Sequence, residues 1–289
     1  MHPIVLKLGP VTVYAYGVAM VAAFLLGTWL AVRAARALPP GQGAITPEPL
    51  VDFLSWSLLG GILGGRLFYI AIAWPYFRQA PWEWAALWHG GLVWYGGLFG
   101  GLAAGWLYTR ARRLSLLRVM DQVIPFVALG HAIGRIGCFL NGCCYGKPTT
   151  GWCAVLLPGH PEPVIPTQLI ESAGLVALFV LLRLLQAASP AAGGTSSVGR
   201  PAAADTSSPA GIAPARSPAG TGPARSRPTL LRYPGRLFGL YLVLYAALRF
   251  GVEFLRGDQP LWWGGLTLPQ VVSLALVPVG LWLSRRRTA

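Results

Sequence analysis

An arginine, an asparagine and three cysteines stand close together in the stretch GRIGCFLNGCCYGKPT, residues 134–149. Arg135 lies three residues before Cys138 and six before Asn141. The run that contains Arg135 is long enough to cross a membrane, where a charged side chain is costly and usually faces the bundle interior or a polar cavity. The glycines around Arg135 leave room for a ligand. The alternative is an arginine that extends its side chain to the membrane interface.

A second charged set occupies the stretch LYAALRFGVEFLRGD. Tyr245, Arg249 and Glu253 are four residues apart, so they share one face of a helix. Arg249 and Glu253 could form an ion pair that only fixes helix packing. Arg135 and Arg249 are, however, predicted near the same membrane face, and paired guanidinium groups bind phosphate through bidentate hydrogen bonds. The two arginines therefore predict a site for a phosphate group.

Three further side chains are candidates for the same site. His89 precedes the glycine-rich stretch GGLVWYGGLFGG, where a neutral imidazole could accept a proton. Arg66 adds a third cation within an apolar run, and Tyr16 lies near the outer end of the first apolar run. Each of two candidates also has a structural alternative. His89 could be a helix cap, and Tyr16 could be an aromatic anchor at the membrane interface.

Apolar helices must position these residues. The chain is 54% hydrophobic and only 11% charged, with a mean hydropathy of +0.55, which indicates an integral membrane protein. A helical span needs about 20 largely apolar residues. Seven windows approach this requirement and predict an all-α membrane protein with about seven transmembrane helices, at roughly 14–37, 50–74, 91–110, 119–140, 168–188, 235–256 and 266–284. The first window has no cleavage signal after it and is interpreted as a retained span.

The net charge of +14 is concentrated in alternate connections between these windows. Arginines follow the first and third windows, surround the connection from the fifth to the sixth, and end the chain. Cytoplasmic loops are enriched in basic residues, so the N-terminus is predicted outside and the C-terminus in the cytoplasm. This distribution argues against nucleic acid as a partner.

Residues 187–229 consist mostly of Ala, Pro, Gly and Ser. Such a composition buries too little apolar surface to offset its ordering entropy, so it predicts a disordered cytoplasmic loop. The loop divides the membrane domain into residues 1–186, with spans one to five, and residues 230–289, with spans six and seven.

Seven motifs resemble, in the same order, those of bacterial prolipoprotein diacylglyceryl transferases. They are GPVTVYAYG, GGILGGRLFYI, HGGLVWYGG, HAIGRIGCFLNG, IPTQLIES, LYAALRFGVEFLRGDQ and LTLPQVVSLAL. The resemblance implies a multi-pass inner-membrane enzyme with seven spans and an outward-facing active site. It implies that the diacylglyceryl group of phosphatidylglycerol moves to the lipobox cysteine of a preprolipoprotein, with release of glycerol-1-phosphate. This is the first step of lipoprotein maturation.

The same resemblance implies roles for individual residues. Arg135 is similar to the signature arginine and His89 to the histidine of the His-Gly-Gly motif, while Arg249 and Glu253 match the sixth-span motif; these four are the catalytic candidates. Candidates for substrate binding are Tyr16, Arg66, Asn141 and Tyr245. The chain departs from the family signature at two positions, because Cys138 replaces an asparagine and Cys143 replaces a glutamate.

The chemistry of the implied reaction fits these residues. A carbon–oxygen bond to phosphate breaks while sulfur attacks carbon, so cations must bind the departing phosphate and a base must accept the proton of a thiol with a pKa of about 8.5. Arg135 and Arg249 suit the first requirement, and His89 suits the second. We expect no metal and no organic cofactor, and a cavity that opens sideways to lipid.

The cysteines leave alternatives open. A disulfide between Cys153 and Cys143 or Cys144 is one, and unpaired thiols are another; a metal site is disfavoured because two cysteines are adjacent and no histidine has ligand spacing. Rival functions are a membrane thiol oxidoreductase, a transporter for an anionic solute, and a family member inactivated by the replacement at Cys138 and Cys143.

Overall fold

The structure is a computed structural model, and it describes residues 4–8, 11–37, 45–87, 90–157, 160–188, 233–257 and 259–286. The candidate base His89 lies outside the described residues. So does the predicted 187–229 loop, except for its first two residues. Residues 187 and 188 are helical, so the fifth long helix ends slightly later than the predicted boundary.

Seven long helices coincide with the seven predicted windows. They are α1 (Ala15–Arg36), α2 (Pro47–Ile72), α4 (Trp94–Ala111), α5 (Leu116–Asn141), α6 (Thr167–Ala188), α7 (Arg236–Glu253) and α8 (Leu268–Arg285). A four-residue helix α3 (Trp74–Phe77) and a 3-10 helix (Pro81–Ala85) lie between α2 and α4. The mainly helical fold that we predicted is therefore confirmed.

Two short antiparallel hairpins qualify the all-α prediction. Strand β1 (Ile4–Leu8) pairs with β2 (Val11–Tyr14), and β3 (Leu261–Trp263) pairs with β4 (Leu266–Thr267). Gly264 and Gly265 connect β3 to β4, and both have positive φ angles, 61° and 77°. Because a two-residue hairpin turn favours positive φ, the pair Gly-Gly was a readable signal for this hairpin.

Among the described residues, five helices are long and apolar enough to cross a membrane: α1, α2, α5, α6 and α8. Helix α7 has only 18 residues and includes three charged ones, and α4 has 18 residues and is rich in glycine. The burial pattern also fits a lipid environment. Leu25, Leu63 and Phe99 are 61%, 60% and 63% exposed, whereas Glu171 and Glu253 are 2% and 3% exposed. Apolar side chains thus face outward and charged ones inward.

Glycines allow α2 and α4 to pack backbone against backbone. A Cβ atom added to Gly64 or Gly100 would overlap backbone atoms of the opposite helix. Small residues at such a crossing permit close packing where no hydrophobic effect drives helices together. The glycine-rich stretches GGILGG and GGLFGG therefore form a helix seam, which fixes the position of Arg66 on α2.

Helix α5 lies at the centre of the bundle. It packs against α1 on one side and α6 on the other, and it also contacts α7. The apolar contact between α5, α6 and α7 is formed by a cluster of buried residues, Ile124, Ala128, Leu178, Leu182, Leu237 and Tyr241. Three helices that carry charged site residues are thereby held side by side.

Asp121 on α5 anchors the first turn of α7. Its Oδ2 atom accepts a hydrogen bond from the Gly235 amide (2.6 Å), and Oδ1 accepts one from the Phe238 amide (2.8 Å). Gly235 is the N-cap residue and has no side chain to do this itself. A carboxylate at a helix N-terminus also interacts favourably with the helix dipole.

Replacing Asp121 with alanine is expected to destabilise the protein by about 1 kcal/mol, because two amides at the start of α7 lose their acceptor. In a chain of this size that loss lowers Tm by about 2–4 °C. Thermal unfolding of the purified protein in detergent measures the shift. Glu162→Ala, at an exposed site, is the matched control and should change Tm by less. Equal effects of both variants would contradict the capping role.

Candidate active site

An arginine, a histidine and a glutamate meet between α5 and α6. His131 and Arg135 are four residues apart on α5 and therefore share one face. The Arg135 Nη2 atom lies 3.0 Å from Glu171 Oε1, and His131 Nε2 lies 3.9 Å from the same oxygen. The Glu171 side chain is almost fully buried. Arg135 therefore faces the bundle interior, and the interface-directed alternative for this residue is wrong.

Helix α7 adds its own charged residues to this group. The ring centroid of Tyr245 lies 5.2 Å from that of His131, and Tyr241 stacks on Tyr245 at 5.7 Å. Arg249 is close enough to His131 and Tyr245 to interact electrostatically with both. Arg135 and Arg249 therefore share two neighbours, His131 and Tyr245, and a common phosphate site formed by the two arginines stays a prediction.

Arg249 and Glu253 form a buried ion pair, with 2.7 Å between Nη1 and Oε2. This contact lacks hydrogen-bond geometry, and both carboxylate oxygens of Glu253 are buried without a hydrogen-bond partner among the described residues. Arg135 Nε is also buried without a hydrogen-bond partner among the described residues. Buried polar atoms without partners are costly, so the cluster has unused capacity for a polar ligand.

Glu171 was not among the residues predicted from the sequence. It lies within the motif IPTQLIES at the start of α6, and an acid in an apolar run next to an unpaired interior arginine was the available signal. Each guanidinium is thus already paired with one carboxylate before substrate binds. A guanidinium has five N–H donors, so a single carboxylate leaves donors free for a phosphate.

Arg66 has a different environment from the one that we predicted. It is 5% exposed, and its guanidinium donates to backbone carbonyls of a single loop. The acceptors are the carbonyl oxygens of Glu83, Trp84, Ala86, Gly90 and Gly91, of which Gly90 is 2.6 Å from Nη1. Its donors are therefore committed to the 83–91 loop, which runs past the position of His89 in the sequence.

The other two predicted binding residues lie at the edge of the charged cluster. Tyr16, in the first turn of α1, is 41% exposed and lies beside Gly137 of α5. Asn141 is exposed at the last position of α5, where its side chain interacts with Cys143. The structure therefore brings Arg135, Tyr245 and Arg249 into one cluster and leaves Tyr16 and Asn141 at its outer rim.

The end of α5 brings three cysteines together. Gly142 adopts the left-handed conformation (φ 72°), and the amides of Gly142 and Cys143 donate to the carbonyls of Phe139 and Cys138. This Schellman motif folds the chain back over the last turn of the helix. As a result, the Sγ atoms of Cys138, Cys143 and Cys144 all lie within 4.8 Å of one another.

All four cysteines are free thiols, so the disulfide that we considered between Cys153 and Cys143 or Cys144 is wrong. The clustered thiols influence one another instead. Hydrogen bonds from Cys138 and Cys143, with a smaller contribution from the charge of Arg256, hold the pKa of the Cys144 thiol below its usual value, although burial opposes this shift. Arg256, which was not predicted as a site residue, is buried and pairs its backbone with Gly146.

An apolar groove of about 220 Å³ runs between α6 and α7 on the outside of the bundle. It is lined by Gly174, Ala177, Leu178, Leu181, Leu244 and Leu248. Glu171 lies one turn before this groove on α6, and Tyr245 and Arg249 are next to its α7 residues in the sequence. The groove is therefore formed by the same two helices that carry Glu171, Tyr245 and Arg249.

Comparisons with known proteins agree with this arrangement. A sequence profile of the prolipoprotein diacylglyceryl transferase family matches residues 3–198 and 224–285. The segment that it leaves unmatched, 199–223, lies within the predicted loop.

Several curated relatives carry the name phosphatidylglycerol–prolipoprotein diacylglyceryl transferase. The protein from Nitratidesulfovibrio vulgaris strain Miyazaki F is 35% identical over 99% of this chain and 94% of its own length. Those from Rhodospirillum centenum and Thermosynechococcus vestitus are 32% and 31% identical, over 98% and 96% of this chain and 90% and 89% of their own lengths. The match extends over nearly the whole chain and includes all three helices of the charged cluster, and we conclude that this chain belongs to the prolipoprotein diacylglyceryl transferase family.

Proposed function

We propose that this protein transfers the diacylglyceryl group of phosphatidylglycerol to the lipobox cysteine of a preprolipoprotein. The names of its relatives specify phosphatidylglycerol and a prolipoprotein as substrates. The observation that carries the proposal is the pair of interior arginines, Arg135 and Arg249, which both interact electrostatically with Tyr245. A phosphate group between two guanidinium groups has the required charge and geometry.

The reaction forms a carbon–sulfur bond and breaks a carbon–oxygen bond. The thiol gives its proton to His89, and the sulfur attacks the glyceryl carbon that carries the phosphate ester. The bonding electron pair leaves with the ester oxygen, so glycerol-1-phosphate departs and the peptide gains a thioether. Arg135 and Arg249 stabilise the negative charge that develops on the departing phosphate.

The two buried glutamates act as positioning residues in this scheme. Glu171 holds one edge of the Arg135 guanidinium at 3.0 Å, and Glu253 holds that of Arg249 at 2.7 Å. A fixed guanidinium loses less side-chain entropy when the phosphate binds. Arg66 also has a positioning role, but an indirect one. It binds carbonyl oxygens of the 83–91 loop instead of binding lipid.

The proposed arrangement in the bacterial inner membrane has seven spans, with α4 and α7 crossing together with the five more apolar helices. The N-terminus is outside and the C-terminus is cytoplasmic, as the arginine-rich connections require. The charged cluster then opens toward the outer face, where a secreted preprolipoprotein presents its lipobox. Residues 187–229 form a cytoplasmic insertion without a part in the reaction.

Replacing His89 with glutamine is expected to lower kcat at neutral pH by about 100- to 10,000-fold, the usual contribution of a general base. Without the base, the rate follows the fraction of substrate thiolate, so it should rise with pH through the pKa of the substrate thiol, which is about 8.5 when the thiol is free. The wild-type rate should level off at a lower pH. The pH profiles of both proteins measure this difference, and His160→Gln is a matched control that should keep the wild-type profile. Parallel profiles of His89→Gln and wild type would contradict the role as base.

Complementation in a bacterium depleted of its own transferase tests the function. The wild-type chain is expected to restore growth and the lipidated form of a reporter lipoprotein. Arg135→Lys at equal membrane abundance should restore neither. Accumulation of unmodified reporter with the wild-type chain present in the membrane would contradict the proposed function.

A further inference from the structure

Three thiols are held close together at the end of α5, one turn beyond Arg135. Cys138, Cys143 and Cys144 have Sγ atoms within 4.8 Å of one another, and each side chain is only partly buried. A zinc ion bound by thiolates at about 2.3 Å in a tetrahedron requires sulfur atoms about 3.8 Å apart. The three sulfur atoms are therefore close to this geometry, and a small rotation of their side chains would complete it.

The backbone that carries these thiols is fixed from the neighbouring helix α6. Thr167 Oγ1 donates to the Cys144 carbonyl at 2.9 Å, and Gln168 Nε2 donates to the Cys143 carbonyl at 2.6 Å. Cys144 has a φ angle of 64°, which is uncommon for a residue other than glycine. Two buried side chains thus stabilise a strained backbone that places adjacent cysteines in one cluster.

The charges around the cluster suit a metal thiolate. Zinc with three thiolates carries one net negative charge. Arg135 and Arg256 are near enough to Cys144 to interact with it electrostatically, and Arg135 also interacts with Cys138. Two cations next to an anionic metal centre compensate the cost of its partial burial.

We propose that Cys138, Cys143 and Cys144 bind a zinc ion whose fourth position accepts the substrate thiol. Thiolates select soft or borderline metals, and zinc with three protein ligands keeps one open position. This proposal rests on the proposed function, because the thiol in question is the lipobox cysteine. Its placement follows from the neighbourhood of Arg135, the proposed phosphate ligand.

The zinc ion would prepare the substrate thiol for attack. A thiol that bound this zinc would lose its proton, for which His89 is the acceptor under the proposed function. The zinc-bound sulfur then forms the bond to the glyceryl carbon, the electron pair of the broken carbon–oxygen bond leaves with the phosphate, and the thioether dissociates from the metal. Cys138 and Cys143, the two departures from the family signature, would thereby take part in thiol activation.

Metal content and cobalt spectroscopy test the site without reference to activity. Protein purified under reducing conditions and incubated with zinc should retain a single zinc ion per chain after buffer exchange. Cys138→Ser, Cys143→Ser and Cys144→Ser should each lower zinc affinity by about 100-fold or more, since each removes a ligand. Cys153→Ser is the matched control, because Cys153 is outside the cluster, and it should bind zinc as wild type does.

The open position is tested with a lipobox peptide. In the cobalt-substituted protein, the peptide should strengthen the sulfur-to-cobalt absorption, and a peptide with serine in place of its cysteine should not. Three results would overturn the proposal. They are absence of zinc binding, equal zinc affinity in the wild type and the serine variants, and a cobalt spectrum that does not change when the cysteine peptide is added. Metal-free protein that lipidates the peptide at the full rate would overturn it while leaving the proposed function intact. Zinc-loaded protein that binds the peptide thiol but never lipidates it would instead overturn the proposed function.

Discussion

Replacing Arg135 with lysine is expected to lower kcat by about 100- to 1,000-fold while the protein stays folded and inserted. Lysine keeps the positive charge and can still pair with Glu171, so the ion pair inside the bundle survives. An ammonium cannot, however, hold the Glu171 carboxylate and a phosphate with the flat, forked geometry of a guanidinium. The initial rate of peptide lipidation at saturating phosphatidylglycerol measures the effect.

An exposed arginine outside the charged cluster separates this effect from a general one. Arg112 is exposed and contacts Asp52 at 3.5 Å, far from α6 and α7 in the sequence. Arg112→Lys should keep the wild-type rate and Tm. If Arg135→Lys also kept most of its activity at normal expression, Arg135 would not bind the phosphate.

Replacing Gly100 with leucine is expected to prevent stable folding of the bundle. A Cβ at this position already overlaps the Gly60 backbone and lies 2.9 Å from Gly64 Cα, so a larger side chain would force α2 and α4 apart. Overpacking costs about 1–3 kcal/mol even where side chains can adjust, and here the obstacle is backbone. The yield of monodisperse protein in detergent and its Tm measure the result.

Gly251 on α7 provides the contrasting glycine. An added Cβ there meets nothing within 4 Å, so Gly251→Ala adds only helix propensity. We expect this variant to keep the wild-type yield and to gain up to about 1 kcal/mol of stability. A Gly100→Leu protein with wild-type Tm would show that the glycine seam does not depend on close backbone contact.

The long helices were predictable because lipid imposes a simple rule on sequence. A span must be apolar over about 20 residues, and this pattern is visible without knowledge of tertiary contacts. The same rule made Arg135 and Arg249 stand out as interior charges. Their approach to one another across α5 and α7 is inferred from the membrane depth of each residue and stays a prediction.

Partners of the interior charges were harder to predict, because they come from other helices. Glu171 is 36 residues from Arg135 in the sequence, and only the packing of α6 against α5 shows that they pair. Arg66 was predicted as a third cation for the substrate. Its guanidinium instead donates hydrogen bonds to backbone carbonyls of a loop 17 to 25 residues later in the sequence. Helix periodicity gives the face of a residue but not what lies opposite.

The cysteine cluster was missed for a related reason. A metal site was disfavoured because Cys143 and Cys144 are adjacent and no histidine has ligand spacing, so the approach of the three thiols to one another was not predicted. Gly142 contained the missing signal, since a glycine directly after a helix favours the left-handed turn that reverses the chain. That turn brings residues five and six positions apart into contact.

The rival functions make different demands on the same residues. A thiol oxidoreductase would use the cysteine cluster but has no need for the buried ion pairs of Arg135 and Arg249. An anion transporter would need those arginines, but this function does not explain why the chain matches the transferase family over nearly its whole length. An inactive family member would retain the fold and lose turnover, so only a direct assay distinguishes it from an active enzyme.

The mass of a lipobox peptide after incubation with the purified protein and phosphatidylglycerol is the most direct test of the proposed transfer. We expect the peptide to gain the mass of one diacylglyceryl group on its cysteine, with equimolar release of glycerol-1-phosphate. A peptide with serine at that position should stay unchanged. An unmodified cysteine peptide, or one altered only by disulfide exchange, in the presence of folded wild-type protein would contradict the proposed function.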